Sequence, residues 1–528
     1  MRAGSSALRS GVWAAAGGAL IGLGGAPIEW SFTAFLAPAA LLVALEPVPE
    51  HAVGSRRAFA TGLVMGTVTQ AIAMYWIVGL LMEYGHFPWI AALAVGALLW
   101  LGQALAYGVG ALLAAGLMRR GAPGWLAVPA CLTLAATLSP AIFPWRYGLS
   151  QLPFLPFAQV ADLGSLPLLD WLVATVACGL LDLGRHRRWR AGVAAAACVV
   201  LPLVYGAVRL DQVVAERQRA PRLRVGVVQP NVSVRDKHDP ALFYSQLRSM
   251  RAMTAALETE GAELVVWPET AYRFPIHRDL ARDRAGALGL RQEGVRGPLL
   301  VGVLSTDGPM MTAYARDALG RPVARFDRGV GERFNSAMAV DREGRVVGVV
   351  DKVHLLAFGE TTPLWDTLPF LQRFPRGLTP GRGPQQVELS GARIAVLNCY
   401  EDLLADFVRM QARAGPDLLI NITNNAWFGD TTAPHLHHMN GRIRAIETRR
   451  DLVRVVNTGV SGHTAATGED LHRTDSFVRA RFVADARRLS GTTLWVRVGD
   501  WVSPVLGGAM FAFVWARRRR RFGESAPA

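Results

Sequence analysis

Ala392-Arg-Ile-Ala-Val-Leu-Asn-Cys-Tyr-Glu-Asp402 is an apolar run that stops at a thiol flanked by acids. Ile394, Ala395, Val396 and Leu397 are aliphatic and partly β-branched, the composition of a strand buried on both faces. Such a strand would hold Cys399 rigidly at its carboxyl end. A free cysteine more often serves as a small buried hydrophobe than as a nucleophile, so its chemistry has to be read with two further stretches. Glu263-Leu-Val-Val-Trp-Pro-Glu269 is a second apolar strand ending in an acid. Asp351-Lys-Val-His-Leu-Leu-Ala-Phe-Gly-Glu360 places a lysine in a largely apolar setting. A carboxylate, an amine and a thiol, each fixed beside a hydrophobic segment, are the parts of an acyl-transfer site: base, oxyanion partner and nucleophile.

Trp267-Pro-Glu269, Lys352 with Phe358-Gly-Glu360, and Asn398-Cys-Tyr-Glu401 resemble the Glu-Lys-Cys signature of the nitrilase superfamily. Val225-Gly-Val-Val-Gln-Pro-Asn231 is similar to that domain's opening strand, and Asn424-Asn-Ala-Trp-Phe-Gly429 to the segment after its nucleophile. The apolar remainder of the chain narrows the resemblance to the membrane-embedded branch, the apolipoprotein N-acyltransferase family. The resemblance implies an αββα sandwich carried by a transmembrane helical bundle. It also implies a phospholipid acyl donor, a diacylated apolipoprotein acceptor and no metal or other cofactor. Departures from the family pattern at Val350, Ala357 and Thr361-Thr362 concern the loop around Lys352, not the reacting groups.

Composition divides the chain. Residues 1–210 are rich in Ala, Leu, Gly and Val, residues 211–495 resemble an ordinary globular protein, and 496–528 hold one more apolar run and a basic tail. Crossing about 30 Å of hydrocarbon takes roughly 20 mostly apolar residues. Candidate spans are 11–27, 30–47, 57–82, 88–118, 123–143, 163–183, 191–209 and 502–516. Arg2 and Arg9, Arg56 and Arg57, Arg119 and Arg120, and the group Arg185, Arg187, Arg188 and Arg190 fall on alternate connections. The intervening ones, 26–29, 83–87 and 144–162, hold only Arg146. By the positive-inside rule the arginine-bearing side is cytoplasmic. An odd number of spans then delivers 211–495 to the periplasm of a bacterial inner membrane, and Arg517–Arg521 returns with the second terminus to the cytoplasm. The net charge of +15 is thus a topology signal; no nucleic-acid motif accompanies it.

Within 211–495, apolar runs at Leu223–Val228, Ala262–Val266, Pro298–Leu304, Ser336–Val340, Val346–Val350, Arg393–Leu397 and Asp417–Ile422 predict strands. Helical spacing covers Pro240–Glu258, Leu403–Ala414 and Pro434–Arg449. The alternation predicts an α/β domain, with 273–297 and 306–335 as surface connections.

A free thiol near pH 7 is only a few per cent thiolate and needs a base. Glu269 is the candidate, with desolvation expected to raise its proton affinity. Lys352 is the candidate oxyanion donor. Glu360, matching the family's second glutamate, and Glu401 are supporting residues. Arg146 reads either as an interfacial anchor or as a contact to lipid phosphate. Trp267, Tyr400 and Trp427 are further candidate lipid contacts. His435, His437 and His438 lack the Cys or paired carboxylates that would complete a metal site. Asn231-Val-Ser and Asn421-Ile-Thr match glycosylation acceptors, short and weak patterns. The protein is expected to act as a monomer.

Overall fold

The computed structural model describes residues 2–46, 53–308, 314–316, 322–324, 331–362, 364–369 and 377–523. Most of the connection 306–335 lies outside them. The chain divides into two compact units. One comprises Met1–Gln212, Thr431–Met439 and Thr493–Ala528; the other comprises Val213–Asp430 and Asn440–Thr492.

The first unit is helical. Trp89–Arg119, Ala161–His186 and Trp189–Arg219 are long and apolar enough to cross a membrane. Ser55–Ala73 and Trp76–Glu83, bent by 58° at their junction, make a fourth span if taken together. Ala7–Leu23, Thr33–Leu45 and Gly124–Leu138 are apolar but shorter. The second and third are shorter than the runs 30–47 and 123–143 that predicted them, Glu46 stopping the second, and the first ends at Leu23 rather than 27 because Gly24, Gly25 and Pro27 follow it. The last helix, Val502–Gly523, runs on past residue 516, since arginine is a good helix former. Small residues set the packing. A Cβ at Gly62 would lie 2.2 Å from the carbonyl oxygen of Tyr107, so the two backbones touch only because position 62 has no side chain.

Among the described residues the second unit contains fourteen strands. They are β1 (Arg222–Gln229), β2 (Leu264–His277), β3 (Leu299–Thr306), β4 (Tyr314–Arg316), β5 (Pro322–Ala324), β6 (Arg333–Val340) and β7 (Val346–Asp351), then β8 (Gln386–Leu389), β9 (Ala392–Asn398), β10 (Leu418–Thr423), β11 (Leu452–Val456), β12 (Gly462–Thr464), β13 (Asp470–Arg473) and β14 (Ala480–Arg487). Two six-stranded sheets form, in the orders β14-β1-β2-β3-β6-β7 and β13-β12-β11-β10-β9-β8. The central strands β1, β2, β3 and β9, β10, β11 pair in parallel.

Alternation decides which face goes where. Val225, Val227, Leu264 and Val266 of one sheet meet Ile394, Val396, Ile420, Ile422 and Val453 of the other in a single apolar layer. Each such side chain contributes about 1.5–3 kcal/mol when fully buried. The opposite parity, Val265, Trp267, Val301 and Val303, packs on Leu247, Met250, Met253 and Leu257 of the helix Phe243–Thr259. Phe407, Val408 and Ala445 cover Ala395, Leu397 and Leu419 in the same way. The layers are helix, sheet, sheet, helix, the expected αββα sandwich.

Each of the seven predicted strands lies on one of these strands. The sequence reading missed β4, β5, β8 and β11 to β14. Two differences bear on the site. β2 continues to His277, so Glu269 is inside a strand rather than at its end, and residues 273–277 are not a loop. Strand pairing of β2 with β3 breaks between Trp267 and Tyr272, and Glu269 sits in that break.

Candidate active site

The break in β2 is what frees the Glu269 side chain from a regular ladder. Thr270 takes φ +48°, a left-handed conformation that costs a non-glycine residue roughly 1–2 kcal/mol. Across from it, a Cβ at Gly302 would lie 2.2 Å from the Pro268 carbonyl oxygen and 2.7 Å from the Glu269 Cα. Glycine at 302 therefore makes room for the bulge.

The Cys399 end is built differently. β9 stops at Asn398, and Cys399, at φ +56°, opens a short 3-10 turn from Cys399 to Leu403. Glu401 caps that turn by accepting from the Asn398 amide at 2.8 Å. Its other oxygen accepts from the amides of Val353 and His354 at 2.7 and 3.0 Å. One buried carboxylate thus joins the Cys399 turn to the backbone just past Lys352. Burial pushes the Glu401 carboxyl up to about 7, while these backbone bonds act in the opposite direction.

The three central groups converge. Lys352 Nζ lies 3.1 Å from Glu269 Oε1 and 2.7 Å from Glu360 Oε2, with the Tyr400 ring centroid 5.8 Å away. Glu269 Oε2 accepts from the amide of Asn424 at 2.9 Å, and the Cys399 thiol lies near enough to the same carboxylate to feel its charge. Burial alone would raise the proton affinity of Glu269, as the sequence reading expected. The charges of Lys352 and Lys237 and the bonds from Asn335 and Lys352 outweigh it and hold the acid below its usual range. This corrects the expectation: the carboxylate is ionised at rest because two ammonium groups face it. Burial lowers the proton affinity of Lys352, but Glu269, Cys399 and Glu360 raise it further, so the amine stays charged. The Cys399 thiol is driven well above its ordinary value by burial and by Glu269, only partly offset by Lys352. At rest the proton is on sulfur, with a carboxylate nearby.

The remaining candidates scatter. Tyr400 is half-buried and its hydroxyl donates to the Leu355 carbonyl at 3.3 Å. Trp267 has no exposed surface and donates to Thr254 Oγ1 at 2.8 Å. It is a core anchor behind Glu269, not a lipid contact, because the parity of β2 points it at the covering helix. Trp427 is 39% exposed, its ring 6.2 Å from that of His238. Arg146 belongs to the helical unit, where its Nε donates to Asp170 Oδ2 at 2.6 Å and its Nη2 to Thr137 at 2.9 Å. Among the described residues no group of three or more His, Cys, Asp or Glu side chains is arranged to hold a metal.

Comparison with known proteins follows the division into units. A family described as carbon-nitrogen hydrolase matches residues 224–475, and the apolipoprotein N-acyltransferase N-terminal domain matches residues 17–179. An apolipoprotein N-acyltransferase from Azotobacter vinelandii is 32% identical, covering 97% of this chain and 96% of the relative. One from Geobacter metallireducens is 30% identical over 88% of each chain. The chain belongs to the apolipoprotein N-acyltransferase family.

For a member of that family, three of its site residues were not legible in advance. Asn335 Nδ2 donates to Glu269 Oε1 and to Glu360 Oε1, each at 2.7 Å, while its Oδ1 accepts from Asn398 at 3.0 Å. Its signal was an amide inside an apolar strand, a group that must find partners when buried. Asn421 is fully buried and donates to the Cys399 carbonyl at 2.9 Å, which removes it from consideration as a glycosylation acceptor. Lys237 is buried beside Glu269, and its sequence context, Arg235-Asp-Lys-His-Asp239, is that of a solvated surface turn.

Proposed function

We infer that this protein transfers an acyl chain from a phospholipid, through a thioester on Cys399, to the α-amino group of the S-diacylglyceryl-cysteine of an apolipoprotein. The observation that carries the reading is one carboxylate bonded to an ammonium with a thiol beside it, in a chain whose other half is a family-matched, membrane-capable helical unit.

Glu269 takes the thiol proton as sulfur bonds to the ester carbonyl carbon, and the carbonyl oxygen becomes an oxyanion beside the Lys352 ammonium. Collapse breaks the ester C–O bond, and the lysophospholipid oxygen leaves with the proton from Glu269. The acceptor amine then attacks the thioester and gives its proton to Glu269. Collapse expels sulfur, which recovers that proton, leaving an amide. Glu360, bonded to Lys352 and Asn335, orients the ammonium, and Glu401 sets the turn that presents Cys399. Tyr400 and Trp427 face the acyl chain. Parking the chain on sulfur lets two multi-chain lipids use one site in turn.

The alternating arginines support a bacterial inner-membrane location, with residues 211–495 in the periplasm, both termini cytoplasmic and 1–210 and 496–528 in or beside the bilayer. A cysteine introduced at Arg291 should be labelled by an impermeant thiol reagent in intact spheroplasts, and one at Arg187 should not. The opposite pattern would place the site in the cytoplasm. For the chemistry, the purified monomer incubated with phospholipid alone should gain the mass of one acyl chain on the Cys399 peptide, labile to hydroxylamine. Adding a diacylated lipopeptide should discharge it. Discharge by water alone would identify a hydrolase, and turnover without acylated enzyme would sink the thioester route.

A further inference from the structure

Lys237 has no part in the steps above, yet it is an ammonium buried in the catalytic half of the molecule, only 6% exposed. It comes from the short helix Val234–His238, whose N-terminus is capped by Ser233. Its Nζ donates to the main-chain carbonyl of Glu269 at 3.2 Å and to the Thr270 hydroxyl. Those two acceptors bracket the left-handed residue of the β2 break. A conformation of that kind persists only where its surroundings over-determine it. Gly302 supplies the space, and Lys237 supplies the grip.

Charge gives a second reason for a lysine there. Glu269 faces Lys352 from the end of β7, Asn335 from β6, the Asn424 amide from the end of β10, the thiol of Cys399, and Lys237. Glu360 shares Lys352. With Lys352 alone, two carboxylates would compete for one cation; Lys237 restores the balance. Around Lys237 itself lie Arg273, which opposes its charge, and Glu269 and Cys399, which favour it. Gln246 and Asn457 line the same small recess. Burial, followed by Arg273, pulls the Lys237 ammonium down to about 7, so it is fully charged on the acid side of neutrality.

We propose that Lys237 is a positioning residue of the catalytic centre: it clamps the Glu269–Thr270 bulge through two hydrogen bonds, and its charge keeps the Glu269 carboxylate ionised against the thiol. The proposal rests on the reading of Glu269 as the base. Neither job requires Lys237 to touch substrate.

The test is the pH dependence of Cys399 acylation by phospholipid, measured as single-turnover intact mass on the full-length protein in detergent. Lys237→Gln removes the charge and keeps an N–H donor pair, on a side chain one atom shorter. Its acid limb should move up by about one pH unit, the low end of what a neighbouring opposite charge does. At the pH where wild type runs at half its plateau, Lys237→Gln should therefore run at about one-tenth of its own. Lys237→Met should show the same shift with a lower plateau as well; if it does not fold, Lys237→Gln still decides. Thr270→Val, which removes one acceptor and no charge, should lower the plateau and leave the midpoint fixed. A wild-type midpoint in both lysine variants would reduce Lys237 to packing and overturn the proposal. Glu269→Gln separates the two failures. If it retains acylation, the base assignment and the proposal fall together; if it is inactive while Lys237→Gln keeps the wild-type midpoint, only the proposal falls.

Discussion

Asp451 and Glu269 are both buried carboxylates of the α/β unit, each bonded to a cationic side chain, and they differ in what is left over. Asp451 takes a bidentate pair of bonds from Arg217 at 2.9 Å, the amides of Ala466 and Arg487 at 2.9 Å, and His463 Nε2 at 3.0 Å. Both oxygens are saturated, and despite burial the bonds and charges of His463 and Arg217 bring its carboxyl down to about 2. Glu269 has fewer donors, shares its ammonium with Glu360, and has a thiol beside it. A saturated acid ties elements together. An acid with bonding capacity left beside a thiol has chemistry available to it.

The largest break in that contrast is Cys399→Ala. With no sulfur, acyl-enzyme mass and product should both fall below detection while the melting curve is retained. Glu269→Gln comes next. It keeps shape and loses the proton acceptor, so acylation should drop by about 10²–10⁴-fold, read as a single-turnover rate; near-normal turnover would mean a different base. Asp451→Asn should act on the other side of the comparison. Removing one partner of a buried ion pair costs about 3–5 kcal/mol, seen as a lower unfolding midpoint. The sign with pH follows from a depressed folded-state pKa: the Asp451 bonds contribute fully above about pH 4 and are lost as pH falls toward 2. The variant should therefore show a shallower loss of stability across that window; an equal slope would move the acid sensitivity to another carboxylate. Asn421→Ala is the mildest. It removes the hydrogen bond to the Cys399 carbonyl, worth about 1 kcal/mol, together with those to the Leu397 carbonyl and from the Thr423 hydroxyl, so acylation should slow by at least roughly fivefold with the pH profile unmoved.

The same contrast explains what the sequence disclosed. Strands buried on both faces, such as Ile394–Leu397 and Leu264–Val266, announce themselves as apolar runs, and Glu269, Lys352 and Cys399 stand out because each adjoins one. β11 does not, because Arg454 interrupts its run, and that arginine is acceptable only because Asp402 meets it in the fold. β14 has buried and partly exposed positions in alternation, so it reads as polar. Asn335, Asn421 and Lys237 were hidden for a related reason. Their value lies in partners 22 to 66 residues away, and no local pattern marks a polar residue whose partner is distant. The opposite error occurred at Trp267, where an aromatic beside the acid suggested a lipid contact and parity along β2 put it in the core. The lowered proton affinity of Glu269 depends on Lys237 and Asn335 and so could not be anticipated without them.

Three hydrogen-bonded links cross from one sheet to the other at the centre: Asn335 to Asn398, Glu269 to the Asn424 amide, and Glu401 to the amides past β7. The acid and the ammonium belong to one sheet and the sulfur to its neighbour, so their alignment measures the registry of two independent slabs. Hydrogen bonds of this kind weaken steeply beyond about 3.2 Å, whereas an apolar layer tolerates small slips with little change in area. The centre therefore works as a strain gauge on the sandwich. On gentle heating, acyl transfer should fade while circular dichroism still reports intact strands, and it should return on cooling.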